Sequence, residues 1–292
     1  MARRGCVIID RLAATGEARN RKHAMMHTLI GLLAAALYAS ATLMLVRDLR
    51  AGTARRPLIL GLTAVALLLH LFLLQSAVPG ASGLDLGFFN ALSLMGWVAV
   101  LLLLLLAIGQ PVISLGLGLL PFAAITMLAA LAFSNGRTGP LLPPQPSGID
   151  VHVLLSICAY AVLTLAAMQS ILLGIQHRQL HEHRPTRVMH VLPPLYVMET
   201  LLFRMAAIGF VLLTLALASG FMFLDDMFAQ HLVHKTVLSL VAWAVFGTLL
   251  AGHHFAGWRG PTAVKFTLGG FLLLVLGYFG SKFVLELILG RA

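Results

Sequence analysis

Acidic residues and cysteines are scarce in this chain. Of 292 residues only 10 are Asp or Glu, against 20 Lys or Arg, and charged residues together make up 10%. A soluble domain carries about 25% charged residues and about 45–50% apolar ones. Here the hydrophobic share is 60%, too much apolar surface for a soluble fold of this length to hide. Carboxylates are nearly absent from the apolar stretches, which argues against a proton-coupled transporter. The two cysteines, Cys6 and Cys158, form no CxxC and support no thiol–disulfide chemistry. Cys158 lies in an apolar run and reads as a small buried hydrophobe. No GxxxxGKS or GxxxxGKT is present, so this chain alone does not hydrolyse ATP, and HExxH and GxSxG are missing too. The net charge of +10 comes from loops and the N-terminus, not from a basic helix with interleaved aromatics. Nucleic-acid binding is therefore not expected.

What the chain has is apolar runs of membrane-spanning length, about 20 residues each. They fall near 26–46, 58–78, 88–108, 112–133, 150–174, 205–224, 234–252 and 264–288. Gly109, Gln110 and Pro111 separate the third from the fourth as a tight hairpin. The expected fold is all-α: a polytopic helical bundle with eight transmembrane helices and the lipid bilayer as its first partner. A single membrane domain covers 25–292, preceded by a basic extension, 1–24, expected to be disordered.

Charge gives the orientation. Arg47, Arg50, Arg55, Arg56, Arg178, Arg184, Arg187, Arg204, Arg259 and Lys265 follow the first, fifth and seventh spans or begin the next ones. The opposite loops hold Arg137 and, at a helix start, Lys235. The positive-inside rule puts the first set in the cytoplasm and both termini outside, in the periplasm or its equivalent. The six basic residues of 1–24 resist that placement. Nor does the stretch read as a cleavable signal. The expectation is a working start at Met25 or Met26, which N-terminal sequencing of native protein tests. Residues 134–149 form a Pro- and Gly-rich outer loop. Residues 175–204, with Pro185, Pro193 and Pro194, are expected to break into short pieces including an interfacial helix.

Twelve histidines are the candidate functional groups. His177 and His181 have the i,i+4 spacing of a metal pair, but only Glu182 accompanies them, and a solvated face is the plainer reading. His70 lies deep in the second span, and His152 opens the fifth, one turn from Ser156 and two from Tyr160. His231 and His234 open the seventh span at the outer side, and His253 and His254 close it at the inner side. An imidazole among leucines can be a hydrogen-bonded core residue, a proton relay or a ligand to iron. His70 and His152 fall at similar outer depth, so they are candidates to share one metal as a bis-imidazole pair. Trp97 and Trp243 lie within spans, where packing against a neighbouring helix competes with lining a macrocycle pocket.

From about residue 149 the pattern becomes specific. The runs IDVHVLLSICAYAVLTLAAMQSILL, LPPLYVMETLLFRMAAIGFVLLTLALASG and HKTVLSLVAWAVFGTLLAGHHFAGWRG resemble the cytochrome c assembly family of membrane proteins, the group holding CcsA, CcmC and CcmF. The eight-span plan looks most like its YpjD/HemX-like branch, with the core of the resemblance over about 149–290. The resemblance implies a bacterial inner-membrane protein that handles haem at the outer face, with histidines as axial ligands to the iron. It also implies haem-biogenesis or cytochrome assembly proteins as partners. By position, His152 matches the outer histidine before the HV…AY helix, and His253 matches the one before Gly257–Trp258–Arg259–Gly260. His234 matches less closely, as an alternative outer ligand. Haem-delivering members carry a tryptophan-rich WWD motif between the sixth and seventh spans. Here the segment reads LDDMFAQHLVHKT, without tryptophan, and Phe223 and Phe228 are the aromatics nearby. Flat stacking over a porphyrin needs such side chains, so haem binding inside the bundle is implied more strongly than attachment of haem to an apocytochrome.

The leading expectation is thus a haem-binding or haem-handling membrane protein without turnover of its own. His70 and His152 would be outer axial ligands, and His253 a second, inner site or relay. One alternative is a non-haem accessory protein holding a soluble partner through the 175–204 loop, as the HemX-like resemblance implies. Another is a permease subunit.

Overall fold

The computed structural model describes residues 2–51, 55–77, 79–80, 83–84, 87–133, 147–182, 192–223 and 233–280. Eight α-helices carry the described chain: α1 (Ala2–Ala51), α2 (Arg56–Ala77), α3 (Phe88–Gly109), α4 (Gly116–Phe133), α5 (Ser147–His181), α6 (Leu195–Phe223), α7 (Val233–Ala256) and α8 (Gly260–Val275). A 3₁₀ turn, Ile113–Leu115, leads into α4, and α8 continues as a π turn over Leu276–Gly280. One two-residue antiparallel pairing, Pro79–Gly80 with Gly83–Leu84, closes the turn between α2 and α3. Among the described residues eight helices are long and apolar enough to cross a membrane, from Met25–Ala51 to Gly260–Gly280. In lipid each helix satisfies its own backbone groups, so an all-helical bundle is what this composition permits. An even number of spans also returns both ends of the bundle to one side.

Helix α5 is the hub, packed on α3, α6 and α8, while α1, α2, α3 and α4 form the neighbouring half. Lipid-facing leucines provide little drive for helices to associate, so close contact comes from small residues. Gly209 of α6 is one such point, where an added Cβ would collide with Leu163 of α5.

Helix α1 runs back through 2–24. Residues 1–24 contain no proline and several good helix formers, so nothing stops the helix from running back. Within 175–204, α5 runs on to His181 and α6 starts at Leu195, and the rest of the stretch expected to hold an interfacial helix, 183–191, lies outside the described residues. Pro193 and Pro194 start α6 rather than break a segment: the Pro194 carbonyl accepts from the N–H groups of Val197 and Met198 at 2.9 and 3.1 Å. The last span begins at Gly260, not 264, because the turn before it, 257–259, is only three residues long. The loops 134–146, 183–191 and 224–232 lie outside the described residues, as does Glu286.

The basic end of the bundle is tied by its own charges. Arg56, opening α2, donates to the carbonyls of Ala107 and Gln110 at the end of α3, a cation on a helix C-terminus. The Asp48 carboxylate accepts from the Arg55 N–H at 2.7 Å just before α2 begins.

Candidate functional site

His70 is fully buried and has partners on both sides. Its Nε2 stands 2.9 Å from Ser93 Oγ on α3, and its Nδ1 is 3.5 Å from Tyr38 Oη on α1. A neutral imidazole is one donor and one acceptor, and two hydroxyls can serve both. The ring thus joins three helices and offers no exposed edge to a ligand.

His152 is different. Its Nδ1 lies 2.8 Å from the Ala216 carbonyl and 3.2 Å from Ser219 Oγ, both on α6. A carbonyl oxygen can only accept, so Nδ1 carries the hydrogen, and in the neutral ring Nε2 is the bare nitrogen. This is how metal-binding imidazoles are oriented: one nitrogen donates to the protein and the other faces the metal. The ring is half-buried, and among the described residues Nε2 has no hydrogen-bond partner. No contact joins His70 to His152 there, because one ring is spent on α1 and α3 and the other on α6.

His253 repeats the device at the basic end. Its Nδ1 donates to the Trp258 carbonyl at 2.9 Å, and its ring stacks on Phe203 with centroids 3.5 Å apart. The Trp258 N–H donates back to the Gly252 carbonyl at 3.1 Å. Gly257 and Gly260 hold φ of 65° and 52°, left-handed values that favour glycine. The histidine and the Gly-Trp-Arg-Gly segment are therefore one structure, a turn between α7 and α8 closed by its own hydrogen bonds. His152 and His253 stand at opposite ends of the bundle and cannot share one iron. His234 falls in the first turn of α7, at the same end as His152; its side chain, like all of His231, lies outside the described residues.

The remaining candidates read as structure. Trp97 Nε1 donates to the Leu67 carbonyl at 3.0 Å, and Trp243 Nε1 donates to Thr214 Oγ1 at 2.9 Å while its ring stacks on Phe210. The His177 ring lies against Gly260, while Arg178 and Glu182 pair at 2.7 Å. Among the described residues no group of three His, Cys, Asp or Glu could hold a metal ion.

Two features escaped sequence reading. Glu199 accepts from the Gly260 N–H at 2.8 Å, capping α8 from another helix. The signal was there, a single carboxylate within LPPLYVMETLLF. Around the π turn, Phe279 lies among Phe88, Tyr160 and Tyr278, the Tyr160 hydroxyl donates to the Leu274 carbonyl at 2.8 Å, and Lys235 Nζ stands 5.9 Å from the Tyr278 ring. A π turn leaves no sequence pattern that a period of 3.6 residues would reveal.

Residues 59–289 match the family model described as cytochrome c assembly protein. The chain belongs to that family. Among its relatives is the inner membrane protein YpjD of Escherichia coli K12, 34% identical over 229 residues, which cover 77% of this chain and 85% of the relative. An uncharacterized 28.8 kDa protein of Azospirillum brasilense is 33% identical over 176 residues, 59% of this chain and 65% of that one. The cytochrome c biogenesis protein CcsA of Chlamydomonas reinhardtii is 26% identical over 153 residues, 51% of this chain and 42% of CcsA. No solved structure matches this member of the cytochrome c assembly family. Its family and its eight apolar helices make it a multi-pass membrane protein embedded in the bilayer.

Proposed function

We propose that this cytochrome c assembly family member binds haem within its bundle, at the end opposite the arginine-rich one, with His152 as an axial ligand. The observation that carries this reading is the His152 hydrogen bond to the Ala216 carbonyl, which fixes the ring and directs its bare Nε2 away from α6. Ser219 supports the same orientation. Bound haem would supply iron-centred electron exchange, its potential set by the ligands and the apolar surroundings. The chain's own part is to hold an axial nitrogen and keep water away with α5 and α6. His234, opening α7 at the same end, is the proposed second ligand. His70 fits less well, because ligation there would cost its bond to Ser93. His253 is a second, inner candidate whose Nδ1 is fixed in the same way. The arginine-rich end faces the cytoplasm in this reading, so both ends of the bundle lie in the periplasm of an inner membrane. Assembly proteins of the haem pathway are the proposed partners.

The test is a reduced-minus-oxidised spectrum of protein purified in mild detergent from haem-sufficient cells. A Soret band stoichiometric with protein, lost in His152→Ala and retained in His70→Ala, is the expected result. A protein colourless even after haem is added, or ordinary haem content in His152→Ala, overturns the reading.

A further inference from the structure

One face of α6 runs through Tyr196, Thr200, Arg204, Ile208, Val211 and Leu215, at helical spacing. Ile208, Val211 and Leu215 are about half exposed and Tyr196 is 70% exposed, so this is a lipid-facing stripe. Arg204 is an exposed cation in the middle of it. The neighbours on either side in the chain, Phe203 and Met205, are buried, so the guanidinium cannot turn into the protein without displacing packed side chains.

Depth fixes what surrounds it. Helix α6 has 29 residues, about 43 Å at a rise of about 1.5 Å per residue. The hydrocarbon core is about 30 Å thick and takes about 20 residues. The stretch from Met205 to Phe223 is apolar apart from Thr214 and Ser219, and it fills that core. Arg204 therefore stands where hydrocarbon meets headgroup, with Tyr196 two turns below in the interface, the level such rings prefer.

Among the described residues the charge has no partner. The one ion pair among the described residues is Arg178 with Glu182, and Arg204 makes no hydrogen bond there. Glu199, the carboxylate within reach along α6, is committed to the Gly260 N–H. An exposed imidazole, His254 of α7, adjoins the place where His253 stacks on Phe203, so α6 and α7 present Arg204 and His254 on either side of one seam. An arginine at this level satisfies its donors best with a phosphate, which it can grip in a two-point hydrogen bond. Basic seams between helices on one side of a membrane bind anionic lipid headgroups in this way.

We propose that the α6–α7 seam at the basic end holds an anionic phospholipid, its phosphate on Arg204 with His254 beside it and an acyl chain along Ile208, Val211 and Leu215. Lys265 is the internal control, since it is also an exposed cation on a lipid-facing stripe, but on α8. Native mass spectrometry of the full chain in mild detergent, titrated with phosphatidylglycerol, phosphatidylcholine or inorganic phosphate, tests the site. Wild type should retain one phosphatidylglycerol in preference to phosphatidylcholine. Arg204→Gln should weaken that retention by about tenfold or more, Arg204→Lys less, and Lys265→Gln should leave it intact. Equal loss in Lys265→Gln would mean diffuse surface charge and overturn the site. So would unchanged retention in a folded Arg204→Gln, or Arg204-dependent binding of inorganic phosphate without any lipid preference.

Discussion

The indole of Trp258 occupies the space that a side chain at Gly252 would need. Six residues apart in sequence, the two are also joined by the hydrogen bond from the Trp258 N–H to the Gly252 carbonyl. Gly252→Ala must push the indole out of the α7–α8 turn or break that bond. Overpacking of this kind costs about 1–3 kcal/mol. Thermal unfolding in detergent should show a lowered midpoint for Gly252→Ala and little change for Gly269→Ala, where an added Cβ meets nothing within 4 Å.

Glu199 should matter through its acceptor rather than its charge. Glu199→Ala removes the cap from the Gly260 N–H and should destabilise by about 0.5–2 kcal/mol. Glu199→Gln keeps a carbonyl oxygen at the same place and should recover most of that loss. Equal loss in both variants would point to the charge instead, and a paired measurement of unfolding midpoints decides it.

His70 and His152 should separate cleanly. His70→Ala strands the hydroxyls of Tyr38 and Ser93 inside the first half of the bundle and leaves a cavity. The expected loss of stability is about 2–4 kcal/mol, with haem content per folded protein unchanged. His152→Ala should show the reverse: a small change in the unfolding midpoint and loss of the Soret band.

Tyr160→Phe deletes the hydroxyl that takes the Leu274 carbonyl. Hydrogen bonds between helices in membranes average about 0.6 kcal/mol and reach about 1.7 kcal/mol. A drop of that size is expected for Tyr160→Phe, together with faster hydrogen exchange of amides around residues 274–280.

The architecture was largely legible because it follows from one constraint, the length of an apolar run set against bilayer thickness. All eight spans were found at the expected places, with errors confined to ends. Those errors share a cause: hydropathy ends where polar residues begin, whereas α5 and α6 continue as helix through His177, His181 and Glu199. The site was less legible. His152 and His253 could be picked out by type and position, but the hydrogen bonds that leave Nε2 bare come from Ala216 and Trp258 backbone carbonyls, which every residue carries. His70 could be read as lying deep within the second span, yet its partners Tyr38 and Ser93 lie 32 and 23 residues away on other helices. Spacing along one helix cannot report such contacts.

The π turn at Leu276–Gly280 amounts to one extra residue in a helix that would otherwise run true. A π turn absorbs its extra residue locally, so deleting one here would let 276–280 close as ordinary α-helix. Side chains within the turn would shift around the axis by up to about 100°, Tyr278 and Phe279 would leave Phe88 and Tyr160, and the Leu274 carbonyl would return to its own helix. Chain length at this point thus matters to the packing independently of composition. A one-residue gap within 276–280 in a relative should travel with the loss of a hydroxyl at the position of Tyr160.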